Sequence, residues 1–257
     1  MGRYQIALCA GLLTVFAGTG LVAQQYPHAF PRHGATQVFD NDRVTIWEVV
    51  WHFNVDQPFH QHRYDMAGVY LRRGRITAIR PEGAPPNPNA NRNAAPAGTA
   101  GAGGGGGGGQ PYEVPRQLFQ LKGVTHKEVG VGKPDEPEQF AFQTDLKGYS
   151  PVYPAPSGST PAFPREGAKK GIDSDRVVFW DHTWTPGQPT PMHFHDKDRV
   201  EVFVTGGTLT MRTADGKTET QTVTPWSARF VEGGKSDVEE AVGGPIRAVT
   251  FELKQAK

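Results

Sequence analysis

A chain that carries one signature twice at a fixed spacing is constrained to fold as two copies of one unit, and this chain does so. The stretch Pro58-Phe59-His60-Gln61-His62 returns 133 positions later as Pro191-Met192-His193-Phe194-His195. The same offset, without a gap from 42 to 77, pairs Asp42 with Asp175, Arg43 with Arg176, Val44 with Val177, Trp47 with Trp180 and Trp51 with Trp184. It continues through Asp65 with Asp198, Val69 with Val202, Gly74 with Gly207 and Thr77 with Thr210. With the prolines and histidines this makes 12 identities in 36 positions; average residue usage gives roughly 2 or 3 by chance.

A second block aligns at the shorter offset of 111, matching Gly123, Glu128, Val131, Gly132 and Pro134 with Gly234, Glu239, Val242, Gly243 and Pro245. The 22-residue difference between the offsets requires an insertion in the first copy. Composition places it at 84–110, where Gly, Pro, Asn and Ala leave almost nothing to bury against the entropy of ordering. This predicts a disordered loop. No Lys-Ser/Thr or helical pattern follows its glycines, which argues against a phosphate cradle.

Between the copies, residues 148–171 are dense in proline and read as an extended linker. Elsewhere the chain alternates short runs rich in Val, Thr and aromatics, such as those at 43–51, 68–79, 176–184, 200–211 and 246–254, with turn residues between them. No long 3.6-residue period interrupts them. The reading is all-β: two small antiparallel barrels or sandwiches, over 37–147 and 172–257.

Residues 1–23 hold Arg3, an apolar run and a small-residue site ending at Ala23. They predict a secretory signal peptide and a secreted or periplasmic protein without stable membrane insertion after cleavage. The only cysteine, Cys9, lies in that leader, so thiolates and disulfides play no part in the remaining chemistry. Without Arg3, 26 basic residues face 26 acidic ones, and that balance gives no reason to expect nucleic acid as a partner.

Within each unit the histidines form a pattern. His60 and His62 share a strand face, and His126 stands in a Gly-x-x-His turn of the same copy. These motifs resemble those of the cupin superfamily, whose first has a Gly, His-x-His, a Glu three or four residues on and a further Gly, and whose second is Pro-x-Gly-x-x-His. Both copies fit in outline, so nearly the whole chain resembles a bicupin. The resemblance implies two tandem jelly-roll barrels of the double-stranded β-helix type, each holding a divalent transition metal inside. In the first copy it implies His60, His62 and His126 as ligands.

The glutamate departs from the pattern, because Ala67 and Val200 stand where it belongs. If Ala67, Val69 and Leu71 line the barrel interior, Asp65 does too, and Asp198 likewise in the second copy. Each is open to three roles: fourth ligand, partner orienting a histidine, or turn residue. The second copy departs further, with Asp237 in the place of His126. A set of His193, His195 and Asp237 suits non-haem iron(II), and the alternative is a decayed site with Asp237 facing solvent. Fe, Mn, Zn, Ni and Cu are all compatible, with Fe slightly preferred.

Two functions remain open. One is a secreted metal-dependent enzyme, oxygenase-like, acting on a small organic molecule at the first site. The other is a non-catalytic ligand-binding or structural bicupin of the cell envelope, and either is compatible with a homo-oligomer.

Overall fold

Runs rich in β-branched and aromatic residues build seventeen strands and no helix among the described residues of the computed structural model, which are 25–84, 86–87, 89 and 113–256. The leader, and the insertion apart from residues 84, 86, 87 and 89, lie outside them. The first copy contains β1 (Ala35–Asp40), β2 (Val44–Trp51), β3 (His60–Gln61), β4 (Asp65–Arg72), β5 (Ile76–Ile79), β6 (Arg116–Gln120), β7 (Thr125–Gly130) and β8 (Gln139–Leu146). The second contains β9 (Lys169–Asp173), β10 (Val177–Trp184), β11 (His193–His195), β12 (Arg199–Phe203), β13 (Gly207–Thr213), β14 (Thr218–Val223), β15 (Ser227–Val231), β16 (Lys235–Val242) and β17 (Ile246–Leu253).

The sheets repeat the same topology. In the first copy the order β1-β2-β8-β4-β6 faces β3-β7-β5, and in the second β9-β10-β17-β12-β15 faces β11-β16-β13-β14. The insertion departs between β5 and β6, where the second copy places β14. Two antiparallel sheets in each copy, with sequence-distant strands as neighbours, form the jelly-roll barrel that the sequence predicts.

The larger sheets of the two barrels pack against each other. One apolar cluster joins Val44, Ile46, Ala67, Val69, Leu71 and Phe142 of the first to Val177, Phe179, Val200, Val202, Val249 and Phe251 of the second. The interior of the first barrel is lined instead by Trp47, Val49, Trp51, Met66 and Tyr70. The expected phase of β4 is therefore reversed: Ala67, Val69 and Leu71 face the neighbouring barrel, and Met66 and Tyr70 face inward. Strand β12 follows suit, with Val200 and Val202 in the shared core and Phe203 in the second barrel's own.

This phase turns Asp65 and Asp198 away from the histidine clusters. Asp65 Oδ2 accepts from Arg176 Nη1 of the other barrel at 2.8 Å, and its Oδ1 accepts from the Lys122 amide at 2.9 Å. Asp198 accepts from Arg43 Nη1 at 2.6 Å, from the Tyr153 hydroxyl at 2.7 Å and from the Gly233 amide at 2.9 Å. Arg43 and Arg176 are equivalent in the repeat, as are the two aspartates, so the two barrels clasp each other reciprocally. Neither carboxylate joins the group of ligand atoms around the histidines of its barrel.

Candidate metal centres

Strands β3 and β7 pair with His60 directly opposite His126, and β11 and β16 pair with His193 opposite Asp237. The alignment of Asp237 with His126 thus holds in space, and Asp237 is turned inward, 6% exposed, rather than to solvent. His60, His62 and His126 offer nitrogens that all lie within 4.8 Å of one another; His193, His195 and Asp237 do the same, joined by Glu239.

Local hydrogen bonds set the tautomers. His60 Nδ1 donates to the Pro58 carbonyl at 3.2 Å, and His193 Nδ1 to that of Pro191 at 2.9 Å. Each ring therefore keeps its Nε2 lone pair for the centre, the arrangement a second-shell carbonyl gives a metal-bound imidazole. In the first barrel, Nε2 of His62 and Nε2 of His126 approach to 3.1 Å, while His60 Nε2 is buried without a partner. In the second, His193 and His195 meet at 3.0 Å, and His195 Nε2 lies 3.3 Å from Asp237 Oδ1. Converging ring nitrogens, one of them orphaned, together with the donor chemistry fit a divalent transition metal.

The electrostatics favour the neutral ring in the first barrel. Burial, followed by Arg32 and His126, pushes His60 down to about 4. His62 and His126 are also lowered, burial being the largest cause for both. The second barrel differs, since burial of His195 is outweighed by Asp237 and Glu239 and its pKa is raised, whereas burial lowers that of His193.

Two further pairs of residues complete the sites. Glu128, two positions past His126 on the same face of β7, receives Arg32 Nη1 at 2.6 Å and Trp51 Nε1 at 2.8 Å on its Oε2. Glu239, two past Asp237 on β16, receives Arg165 Nη1 and Trp184 Nε1 on its Oε2, each at 2.8 Å. Burial resists ionisation of both glutamates, but the neighbouring cations and imidazoles prevail and hold both well below the usual carboxylate range.

Both arginines belong to a repeat at the 133-residue offset: Ala29-Phe30-Pro31-Arg32 and Ala162-Phe163-Pro164-Arg165, each followed by one residue, a glycine and an alanine. The segments run beside the His-x-His strands, the Gln61 amide donating to the Pro27 carbonyl and the Phe194 amide to that of Thr160. Gly34 and Gly167 then turn the chain with φ of 75° and 74°, a conformation glycine adopts without strain. Thus part of the proline-rich stretch at 148–171 is built into the second barrel, where Arg165 stacks over Phe163 and Trp184. Extending the 133-residue comparison upstream of Asp42 reveals both arginines from sequence.

The barrels diverge in charge. Glu201 points into the second barrel but is occupied by Arg199 at 2.7 Å and Arg229 at 2.7 Å; the repeat places Met66 and Gly68 at the positions of Arg199 and Glu201. Arg165 Nη2 donates to His182 Nδ1 at 2.9 Å, whereas Arg32 Nη2 is buried without a partner.

Among solved structures, Bacillus subtilis oxalate decarboxylase, described with Mn(II) centres, is similar at 11% identity and a TM-score of 0.50, with 93% of this chain and 79% of that one covered. AerE from Microcystis aeruginosa is similar at 11% identity and a TM-score of 0.51, covering 90% and 99%. A one-domain likeness is to a cupin domain protein from Bordetella pertussis, at 29% identity and a TM-score of 0.31 over 37% of this chain and all of that one. No protein-family model and no curated protein matches the chain.

Proposed function

We propose that this chain, a bicupin in architecture, is a secreted or periplasmic metal-dependent enzyme whose first barrel holds a divalent transition metal through His60, His62 and His126. The observation that carries the metal reading is the convergence of three buried imidazoles whose ring nitrogens lie within 4.8 Å of one another, with His60 Nε2 left without a partner. A metal bound there supplies Lewis acidity or, in the case of iron, oxygen activation toward a small organic molecule.

The chain's own residues prepare the site for that role. Pro58 holds the His60 tautomer, and burial keeps the imidazoles neutral and screened from bulk water. Glu128 balances the Arg32 charge, and the free Arg32 Nη2 is a donor for an electron-rich group of a ligand.

The second reading, a non-catalytic ligand-binding or structural bicupin, draws on the seclusion of the site. His60, His62 and His126 are 2–5% exposed. A large open pocket is lined by His52, Phe53, Arg72, Glu136 and Glu138, outside the cluster of site histidines.

Elemental analysis of protein from its native compartment, with His60→Ala beside it, tests the metal reading. Bound transition metal in the wild type and its near-complete loss from the first barrel in the variant are expected; equal metal content in both refutes it. Oxygen consumption by the metal-loaded wild type over a panel of small organic acids and phenols, lost in His60→Ala, separates the enzyme from the binding module.

A further inference from the structure

The two barrels present different donor sets. In the first, the ligand atoms that converge are ring nitrogens of His60, His62 and His126, and Glu128 stands outside that group. In the second, two imidazoles and two carboxylates converge, with ligand atoms of His193, His195, Asp237 and Glu239 all within 4.8 Å of one another. We propose that Glu239 is the fourth protein ligand of the second barrel, binding through Oε1. This two-nitrogen, two-oxygen site takes a harder divalent ion, of the Mn(II) class, than the all-imidazole site of the first barrel. The inference extends the metal reading above to the second barrel, and its ligand assignment stands whether or not the first barrel is loaded.

The distances are those of one coordination sphere. Nε2 of His193 and Nε2 of His195 stand 3.0 Å apart, and Asp237 Oδ1 lies 3.4 Å from the first and 3.3 Å from the second. Ligand atoms on bonds of about 2.1 Å stand about 3.0 to 3.4 Å apart when adjacent, and about 4.2 Å apart when opposite in an octahedron. Glu239 Oε1, 3.7 Å from His195 Nε2, falls within that span. Glu239 is 1% exposed, and its Oε1 has no hydrogen-bond partner, whereas Oε2 accepts from Arg165 and Trp184. Arg199 Nη2, 3.8 Å from Oε1, is beyond hydrogen-bond reach, and its guanidinium is engaged by Glu201 through Nε. A buried carboxylate oxygen without a donor is costly; an ion shared with the imidazoles satisfies it.

The fold holds that oxygen in place. Asp237 and Glu239 share the inward face of β16 with the two-residue period of a strand. Thr190, in the loop before His193, pins the Glu239 backbone: its hydroxyl accepts from the Glu239 amide at 2.8 Å, and its amide donates to the Glu239 carbonyl at 2.9 Å. Gln57 occupies the equivalent position in the first barrel, and its side chain donates instead to the His33 carbonyl at 3.4 Å. Glu239, fixed at its backbone and at Oε2, loses little conformational entropy when Oε1 binds. Donor type then sets the ion, because imidazole suits Zn, Cu and Ni while carboxylate oxygen suits Mn. Affinity at any such site still rises from Mn to Co, so the barrels differ in the ratio of the two.

The test uses Mn(II) and Co(II) as probes in full-length protein, with His60→Ala to isolate the second barrel and His193→Ala to isolate the first. Mn(II) binding is read from loss of the free-ion paramagnetic resonance signal and Co(II) binding from its ligand-field absorption. The preference for Co(II) over Mn(II) is expected to be smaller by about tenfold or more in the His60→Ala protein; equal ratios in the two proteins overturn the selectivity. In the His60→Ala background, Glu239→Leu is then combined with Arg165→Met, which removes the buried pair together and leaves the net charge unchanged. Mn(II) binding is expected to weaken about tenfold or more and the Co(II) spectrum to change. A Co(II) spectrum identical to that of the parent, whatever the affinity, overturns the ligand assignment. Should that variant not fold, a crystal of wild-type protein soaked with Mn(II) decides: an ion within about 2.5 Å of Oε1 supports the assignment, and a longer separation refutes it. Failure of the His60→Ala protein to take up either ion overturns the second site. Failure of the His193→Ala protein to take up Co(II) overturns the metal reading of the first barrel and leaves the ligand assignment to the paired substitution.

Discussion

Removing Asp198 separates its structural role from a metal-binding one. Its carboxylate is fully buried and accepts three hydrogen bonds, from Arg43, Tyr153 and the Gly233 amide. In Asp198→Ala all three donors lose this acceptor, and Arg43, whose side chain is 15% exposed, loses its most buried counter-charge. Breaking a buried pair from one side costs about 3–5 kcal/mol. Arg43 keeps Glu232 at 2.7 Å, so the lower part of that range, about 3 kcal/mol, is expected. Urea unfolding, followed separately by tryptophan fluorescence and far-UV circular dichroism, measures the loss and reports whether the barrels still unfold together. Arg43→Ala and the double variant complete a cycle whose coupling isolates the pair. Co(II) affinity should change little, because Asp198 lies outside the second site. A loss below about 1 kcal/mol accompanied by loss of metal would refute the assignment to the clasp.

Three further outcomes follow from the same geometry. Asp237→His should strengthen Co(II) binding in the second barrel, since Asp237 pairs directly with His193 as His126 does with His60; unchanged stoichiometry and affinity in a titration contradict this. Metal-free protein should lose stability as pH falls below about 6.5 toward about 3, because burial, with Arg165 next, pushes His182 down to about 3 and the unfolded chain takes up the proton first. His182→Val, which supplies the valine found at the equivalent Val49, should flatten part of that slope in urea titrations at pH 7 and pH 5, and an unchanged slope opposes it. Deleting residues 90–110, while keeping Asn89, whose side chain accepts from the Leu121 amide at 3.0 Å, should leave the melting temperature nearly unchanged in calorimetry; a large drop shows that the segment packs.

The sites were partly legible because their ligands recur at fixed spacing. His60, His62, His126, His193, His195 and Asp237 lie where the repeat aligns them, and strand pairing needs only short-range register to bring them together. Glu128 and Glu239 also matched in the repeat, yet nothing in one dimension distinguishes a carboxylate aimed at imidazoles from one on a solvated edge. The arginines were harder to see, since proline-dense sequence resembles a tether. Their role depends on a turn that returns Arg32 and Arg165 beneath Trp51 and Trp184.

By itself, the sequence determined the duplication, the all-β class and the histidine clusters, because repetition and two-residue alternation are local properties that survive projection onto a line. Only the tertiary structure decided which face of β4 and β12 points inward. Asp65 to Leu71 are all buried, since one face lines a barrel and the other meets the neighbouring barrel, so no polar alternation marks the phase. A strand apolar on both faces can be read in either phase, and a shift of one residue exchanges every side chain between them. That exchange carried Asp65 and Asp198 away from the histidine clusters and into the reciprocal clasp with Arg176 and Arg43.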